Sequence, residues 1–190
     1  AGAGIGGNVG KLFTAGGYHA VLCRRSDEAG LDKLVKDIEI AGNSASGFLM
    51  NAIEEDAIEA RINAIEADIG PKEVVVYNLG AQTGMKLLKD TTHKEFEWGW
   101  RMASLGLFRV AKMLCPIMKE RGKGTILVTS ATAAMRGNAT QHSHAAAMGA
   151  RRMLCQSLNA EFSASGIHVA HIVIDGAAVS YTHLRAHETR

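Results

Sequence analysis

The sequence predicts an α/β protein: a doubly wound parallel sheet with helices on both faces. Three observations carry that prediction. Short apolar runs alternate along the chain with stretches whose apolar residues recur at helical spacing. The runs are continuous rather than alternating, as expected of parallel strands covered on both sides. And a glycine-rich stretch, Ala1-Gly2-Ala3-Gly4-Ile5-Gly6-Gly7-Asn8-Val9-Gly10, leads directly into the first helix.

Taken in order, Val9, Leu12 and Phe13 form the stripe of a helix that runs to about Ala15 and stops at Gly16-Gly17. Residues 19–23, His-Ala-Val-Leu-Cys, read as a short buried strand followed at once by Arg24-Arg25. Ser26-Asp27-Glu28 supplies an N-cap and an acidic first turn for a helix with Leu31, Leu34, Val35 and Ile38 on one face, ended by Gly42. Residues 46–50 are a further strand with Asn51 at its end. Ile58, Ile62, Ile65 and Ile69 mark a helix closed by Gly70-Pro71. Val74 to Tyr77 reads as a fully buried strand ending in Asn78-Leu79-Gly80. A long helix follows, with Phe96, Trp100, Ala103, Leu107, Ala111 and Leu114 on its stripe. Gly122-Lys123-Gly124 turns into a strand over 125–129. A helix over 145–164, rich in small residues, ends at Gly166, and residues 167–174 are the last strand candidate. Right-handed crossovers between such strands build a Rossmann sheet whose ligand lies at the carboxyl ends of the strands. Those ends carry Arg24, Asn51, Asn78 and the segment after Thr129.

A chain of 190 residues is expected to form one domain with a substantial core. Its net charge of +2, with both signs mixed along the chain, leaves no electrostatic footprint for nucleic acid. The three cysteines, Cys23, Cys115 and Cys155, are far apart and form no C-x-x-C, which argues against a disulfide scaffold or a zinc site. No apolar run reaches membrane length and no leader is visible, so no membrane partner and a cytoplasmic location are expected.

The string Gly2-x-Gly4-x-x-Gly7 matches G-x-G-x-x-G, whose glycines let a diphosphate approach the N–H groups at the head of a helix. The motif normally follows a strand, and here the sequence begins on the loop; the bland reading is a flexible glycine-rich terminus. At the end of the next strand, an acidic residue would accept hydrogen bonds from the ribose hydroxyls of NAD. Cys23 stands there instead, followed by Arg24, whose fork of donors suits a 2′-phosphate. A pair of solvated arginines at a helix entrance is the competing reading.

These residues, in this order and spacing, resemble the short-chain dehydrogenase/reductase family over roughly residues 1–178. The resemblance implies an NAD(P)-binding Rossmann domain over 1–179 that lacks the family's first and last strands. It places the last two glycines of the T-G-x-x-x-G-x-G motif on Gly4 and Gly6, with Gly2 and Ile5 also in the phosphate loop. Asn51 falls where the family has an adenine-contacting Asp, and Asn78-Leu79-Gly80 resembles its N-A-G turn, with Asn78 and Gly80 beside the adenosine. NADP(H) is the expected cofactor in preference to NAD(H). Residues 180–190 resemble a translated sequencing-adapter read-through, unrelated to the domain.

The family's chemistry uses a Tyr as proton donor, a Lys one turn later, a Ser and an Asn. The resemblance puts these on His144, Met148, Ala131 and Ala103, so all four have changed, as in an atypical subgroup. Ser130 and Thr132 flank Ala131 and on a strand face the other way, but the strand is ending there and a loop could rotate one of them in. Ser143 and Ser104 are each turned about 100° from the position they would replace. His144 can act as an acid near neutral pH, and a helix-terminal histidine without chemistry is its ordinary reading. His142 and His144, two apart, are poorly spaced for a shared metal, and none is expected. Asp175 replaces the family's Pro before Gly176; an Asp-His acid–base unit and a plain turn are both open there.

Two functions are therefore expected from the resemblance. One is hydride transfer between nicotinamide and a small carbonyl or alcohol. The other is nucleotide binding without catalysis, as a sensor or partner subunit. A methyltransferase with the same loop would want an acidic residue where Cys23-Arg24 stands. The resemblance also implies a homo-dimer or homo-tetramer formed through helices at about 96–121 and 145–164. The small-residue face at Ala145-Ala146-Ala147-Gly149-Ala150 would admit a second helix or pack on this chain's own sheet.

Overall fold

The structure, a computed structural model, describes residues 1, 2, 4–80 and 84–176; the tail at 180–190 lies outside the described residues. They form two compact units, residues 1–51 with Gly176, and residues 52–175.

The first unit is helix, strand, helix, strand: α1 (Ile5–Ala15), β1 (Ala20–Arg24), α2 (Glu28–Ile40) and β2 (Ala45–Leu49). The strands are parallel, with Ala20 opposite Ala45 and Arg24 opposite Leu49. Leu22, Leu31, Ile38 and Ala45 form the core, with Leu34 and Val35 packed against it. Missing side chains let the layers close. A Cβ on Gly10 of α1 would lie 2.8 Å from Leu22 Cδ2, and one on Gly47 of β2 would lie 2.9 Å from Leu31 Cγ. Asp27 caps α2 as expected, accepting from the Gly30 N–H at 3.0 Å. His19 precedes the strand rather than opening it, and its ring bridges Ser44 Oγ (2.6 Å) and Ser46 Oγ (3.0 Å).

The second unit contains α3 (Ala57–Asp68), β3 (Val74–Tyr77), α4 (His93–Trp100), α5 (Gly106–Arg121), β4 (Gly124–Ala131), α6 (His142–Phe162) and β5 (Ile167–Ile174). Its sheet is parallel throughout, in the order β3-β4-β5, with Tyr77 opposite Val128 and Ala131 opposite Ile174. Leu107, Ala111, Leu114 and Met118 of α5, Ile126 and Val128 of β4, and Ile167 of β5 are all but inaccessible. Arg109 of α5 grips Glu59 of α3 through two guanidinium N–H groups and donates to the carbonyls of Ala52 and Glu54. This pins the connection leading into α3.

Three sequence expectations are corrected here. The long helix is interrupted: α4 and α5 are joined by a π-helical turn, Arg101–Leu105. The wider turn shifts the helix phase, so Phe96 and Trp100 are 48% and 44% exposed while Ala103, Leu107, Ala111 and Leu114 stay buried. Ile69 sits past the end of α3 and is exposed, because the helix stops at Asp68. In Val74–Tyr77 only Tyr77 is fully buried; β3 is an outer strand of its sheet, and an outer strand has a neighbour on one side only.

Candidate functional site

In the first unit, α1 begins at Ile5 with Gly4 as N-cap, no side chain closing the first turn and no acidic residue in it. The Gly2 carbonyl accepts the Gly7 N–H at 2.9 Å, and the Gly4 carbonyl accepts the Asn8 N–H at 3.2 Å. The N–H groups of Ile5 and Gly6 come ahead of the helix ladder, where helix geometry supplies no partner. The positive end of the helix dipole is uncompensated by acid. A Cβ on Gly2 or Gly4 would meet nothing within 4 Å, whereas one on Gly7 would lie 2.4 Å from the Gly2 carbonyl oxygen. Gly7 is thus required by internal packing. At Gly2 and Gly4 the backbone faces open space, which fits a loop that a phosphate approaches.

Arg24 ends β1. Its Nη2 lies 2.7 Å from Asp27 Oδ2, and its side chain is 26% exposed. A Cβ on Gly30 would fall 2.6 Å from Arg24 Nη1, so the guanidinium rests on the bare first turn of α2. Asp27 itself holds a left-handed conformation, φ 65°. Its two carboxylate oxygens thus divide their work between the helix cap and the arginine. Asn51 follows β2, half-buried, just past the Met50 N–H that donates to the Arg24 carbonyl at 2.8 Å.

In the second unit, Asn78 and Gly80 lie just beyond β3. The Asn78 side-chain oxygen accepts from Thr129 Oγ1 at 2.7 Å, tying the ends of β3 and β4 together. Ala131 ends β4, and Ala103 lies in the π turn with no exposed surface. His144 stands half-buried in the first turn of α6. Met148, one turn on, is 2% exposed and packs with Ala103, Ala134 and Ala147 in an apolar cluster. The neighbouring hydroxyls are engaged elsewhere. Ser104 Oγ donates to the Ala147 carbonyl, Ser143 Oγ to the Glu95 carbonyl, and Ser130 Oγ lies 3.7 Å from Met148 Sδ. Ser104 and Ser143 are thus committed to backbone carbonyls, while Ser130 faces Met148, where the resemblance expects the family's Lys. Among the described residues, no three His, Cys, Asp or Glu side chains gather as metal ligands, and no helix is long and apolar enough to cross a membrane.

Two residues not singled out from the sequence dominate this region. Arg151 is 2% exposed. Its Nε donates to the Ala103 carbonyl (3.0 Å), Nη1 to Thr129 (2.8 Å) and Nη2 to Leu79 (2.7 Å). Its guanidinium lies 5.2 Å from the centre of the Tyr77 ring. The Tyr77 hydroxyl donates to the Met102 carbonyl, and burial pushes its pKa up to about 12 against the pull of the Arg151 charge. It stays a neutral donor with its proton committed. The available signal was spacing: His144, Met148, Arg151, Cys155 and Leu158 share one face of α6 at i, i+4, i+7, i+11 and i+14. A charge at the centre of a buried face is informative.

The chain belongs to the short-chain dehydrogenase family, whose model matches residues 1–188. A short-chain dehydrogenase from Rhodopseudomonas palustris has the same fold, with a TM-score of 0.86 at 34% identity over 92% of this chain and 82% of that one. A 2-dehydro-3-deoxy-D-gluconate 5-dehydrogenase from Formosa agariphila is 26% identical over 166 residues, 87% of this chain. The chain spans only 62% of the length of that curated relative. A gluconate 5-dehydrogenase from Burkholderia cenocepacia, solved with NADP and tartrate, shares the fold at 24% identity and a TM-score of 0.81, over 92% of this chain and 69% of that one.

Proposed function

We propose that this chain is an NADP(H)-dependent oxidoreductase of the short-chain type, acting on a small carbonyl or alcohol. The observation that carries the reading is the uncapped, acid-free head of α1 behind open glycines, with Arg24 at the end of the neighbouring strand. The N–H groups of Ile5 and Gly6 would hold the diphosphate, with Gly2 and Gly4 permitting its approach. Arg24 would hold the 2′-phosphate. Asn51, Asn78 and Gly80 would line the adenosine, as family resemblance suggests. The bound nicotinamide would supply or accept the hydride. His144 would give the proton to the carbonyl oxygen, or take it from the alcohol. Exposed Phe96, Trp100, Phe108 and Met153 on α4, α5 and α6 support a homo-oligomer through those helices.

A second reading, nucleotide binding without turnover, is favoured by one feature: Met148 and Ala103 are sealed in an apolar cluster where the family's chemistry needs polar groups. One experiment separates the two. The chain is titrated with NADPH by thermal shift, then NADPH absorbance is followed across a carbonyl panel. Binding with oxidation supports the enzyme; binding without oxidation supports the second reading; no binding of NADPH or NADH ends both. If the enzyme is active, His144→Ala lowers kcat by about 10²–10⁴. Turnover that survives the change removes His144 from the chemistry.

A further inference from the structure

The geometry points to Arg151 as the positioning residue of the candidate site: one planar guanidinium fixes the carbonyls of Leu79, Ala103 and Thr129, and so orients the three segments that carry Asn78 and Gly80, Ala103, and Ala131.

The three acceptors lie 72, 48 and 22 residues away in sequence. They come from the turn after β3, the π turn between α4 and α5, and the end of β4. α6 supplies the arginine from the face that also carries His144 and Met148. No other side chain among the described residues has hydrogen bonds to all three segments. Among those residues Arg151 forms no ion pair, and carbonyl dipoles and the Tyr77 face solvate its charge. Burying a cation this way is costly, and an aliphatic side chain would fill much of the space without that cost. What the arginine adds is direction. Its donors leave a rigid plane at fixed angles, which a lysine's single ammonium cannot reproduce.

The π turn makes the need explicit. A widened helical turn disturbs the regular ladder, and its Met102 and Ala103 carbonyls are taken by the Tyr77 hydroxyl and Arg151 Nε. Gly106 permits this approach, since a Cβ there would fall 2.2 Å from the Tyr77 hydroxyl oxygen. Tyr77 and Arg151, in contact with each other, therefore hold the same turn by adjacent carbonyls.

The inference rests on the NADP(H) reading above, and its test separates the two. Wild type, Arg151→Lys and Arg151→Leu are titrated with NADPH and with adenosine 2′,5′-bisphosphate, which lacks the nicotinamide end. Circular dichroism melts check folding. The expected result is a loss of about tenfold in NADPH affinity for Arg151→Leu and a smaller loss for Arg151→Lys, with a lesser loss of bisphosphate affinity in each, since of the three oriented segments only the one carrying Asn78 and Gly80 lines the adenosine. Should Arg151→Leu fail to fold, Arg151→Lys, which keeps charge and stem, decides alone. Unchanged NADPH affinity overturns the inference while leaving the NADP(H) reading intact. Equal losses for both ligands also overturn it, because they indicate a role in the fold as a whole. A wild-type chain that does not bind NADPH overturns the reading and the inference together.

Discussion

Arg24 is not a free cation waiting for phosphate. Asp27 neutralises it at 2.7 Å while also capping α2. The two tasks can be separated, because asparagine caps a helix about as well as aspartate without the charge. Asp27→Asn should therefore keep α2 intact and release the guanidinium. The ratio of NADPH to NADH affinity is expected to rise about threefold, the scale of a half-exposed ion pair. Paired titrations measure it, and a falling ratio would show that Asp27 orients Arg24 instead of competing for it. The same scale explains what was legible at this site. That Arg24 sits at a strand end follows from a run of apolar residues and a break. That its charge is shared with a neighbour three residues on depends on a left-handed turn at Asp27, φ 65°, which no spacing rule signals.

At the level of elements, glycines in helices have opposite meanings. Replacing a helical glycine with alanine ordinarily stabilises a helix where the added methyl meets no obstruction. A Cβ on Gly149 of α6 would meet nothing within 4 Å, so Gly149→Ala should add about 0.5–1 kcal/mol. Gly7→Ala would drive a methyl into the Gly2 carbonyl. It should cost about 1–3 kcal/mol and weaken NADPH binding as well. Urea midpoints of the two variants check the signs. The start of α4 offers a pH test. Thr92 and Glu95 form a capping box, with Glu95 Oε2 accepting from the Thr92 N–H at 3.0 Å and Thr92 Oγ1 accepting from the Glu95 N–H at 3.2 Å. The Lys86 ammonium on its other oxygen, then the Thr92 donors, bring the Glu95 pKa down to about 2. A carboxylate with a depressed pKa stabilises the fold above its unfolded value of 4.5 and loses that contribution as pH falls toward 2. Glu95→Gln should flatten the dependence of stability on pH within that window and leave it unchanged above. A wild-type slope retained in the variant would assign the acid sensitivity to another group.

For the molecule as a whole, cofactor binding and folding are linked. NADPH at 100 times its dissociation constant should stabilise the chain by about 2.7 kcal/mol, raising Tm by about 5–10 °C. Adenosine 2′,5′-bisphosphate should give a smaller shift at equal concentration if the nicotinamide end contributes to binding. A melting temperature indifferent to both ligands would contradict the phosphate loop as read.

The order of helices and parallel strands was legible because each depends on a local period: apolar residues three and four apart, unbroken apolar runs, glycine stops. The placement of the glycine loop at the head of α1 and of Arg24 at the end of β1 was legible for the same reason, both being contiguous with those elements. The interruption at Arg101–Leu105 was not, since its sequence keeps helical spacing throughout and the donors to its Met102 and Ala103 carbonyls, Tyr77 and Arg151, come from distant elements. Nor could spacing say that Met148 and Ala103 meet in one apolar cluster, or that Arg151 answers to Leu79, 72 residues away. Periodicity reports which face of an element is buried. What that face touches depends on how distant segments come together, and the polar partners inside this fold were decided there.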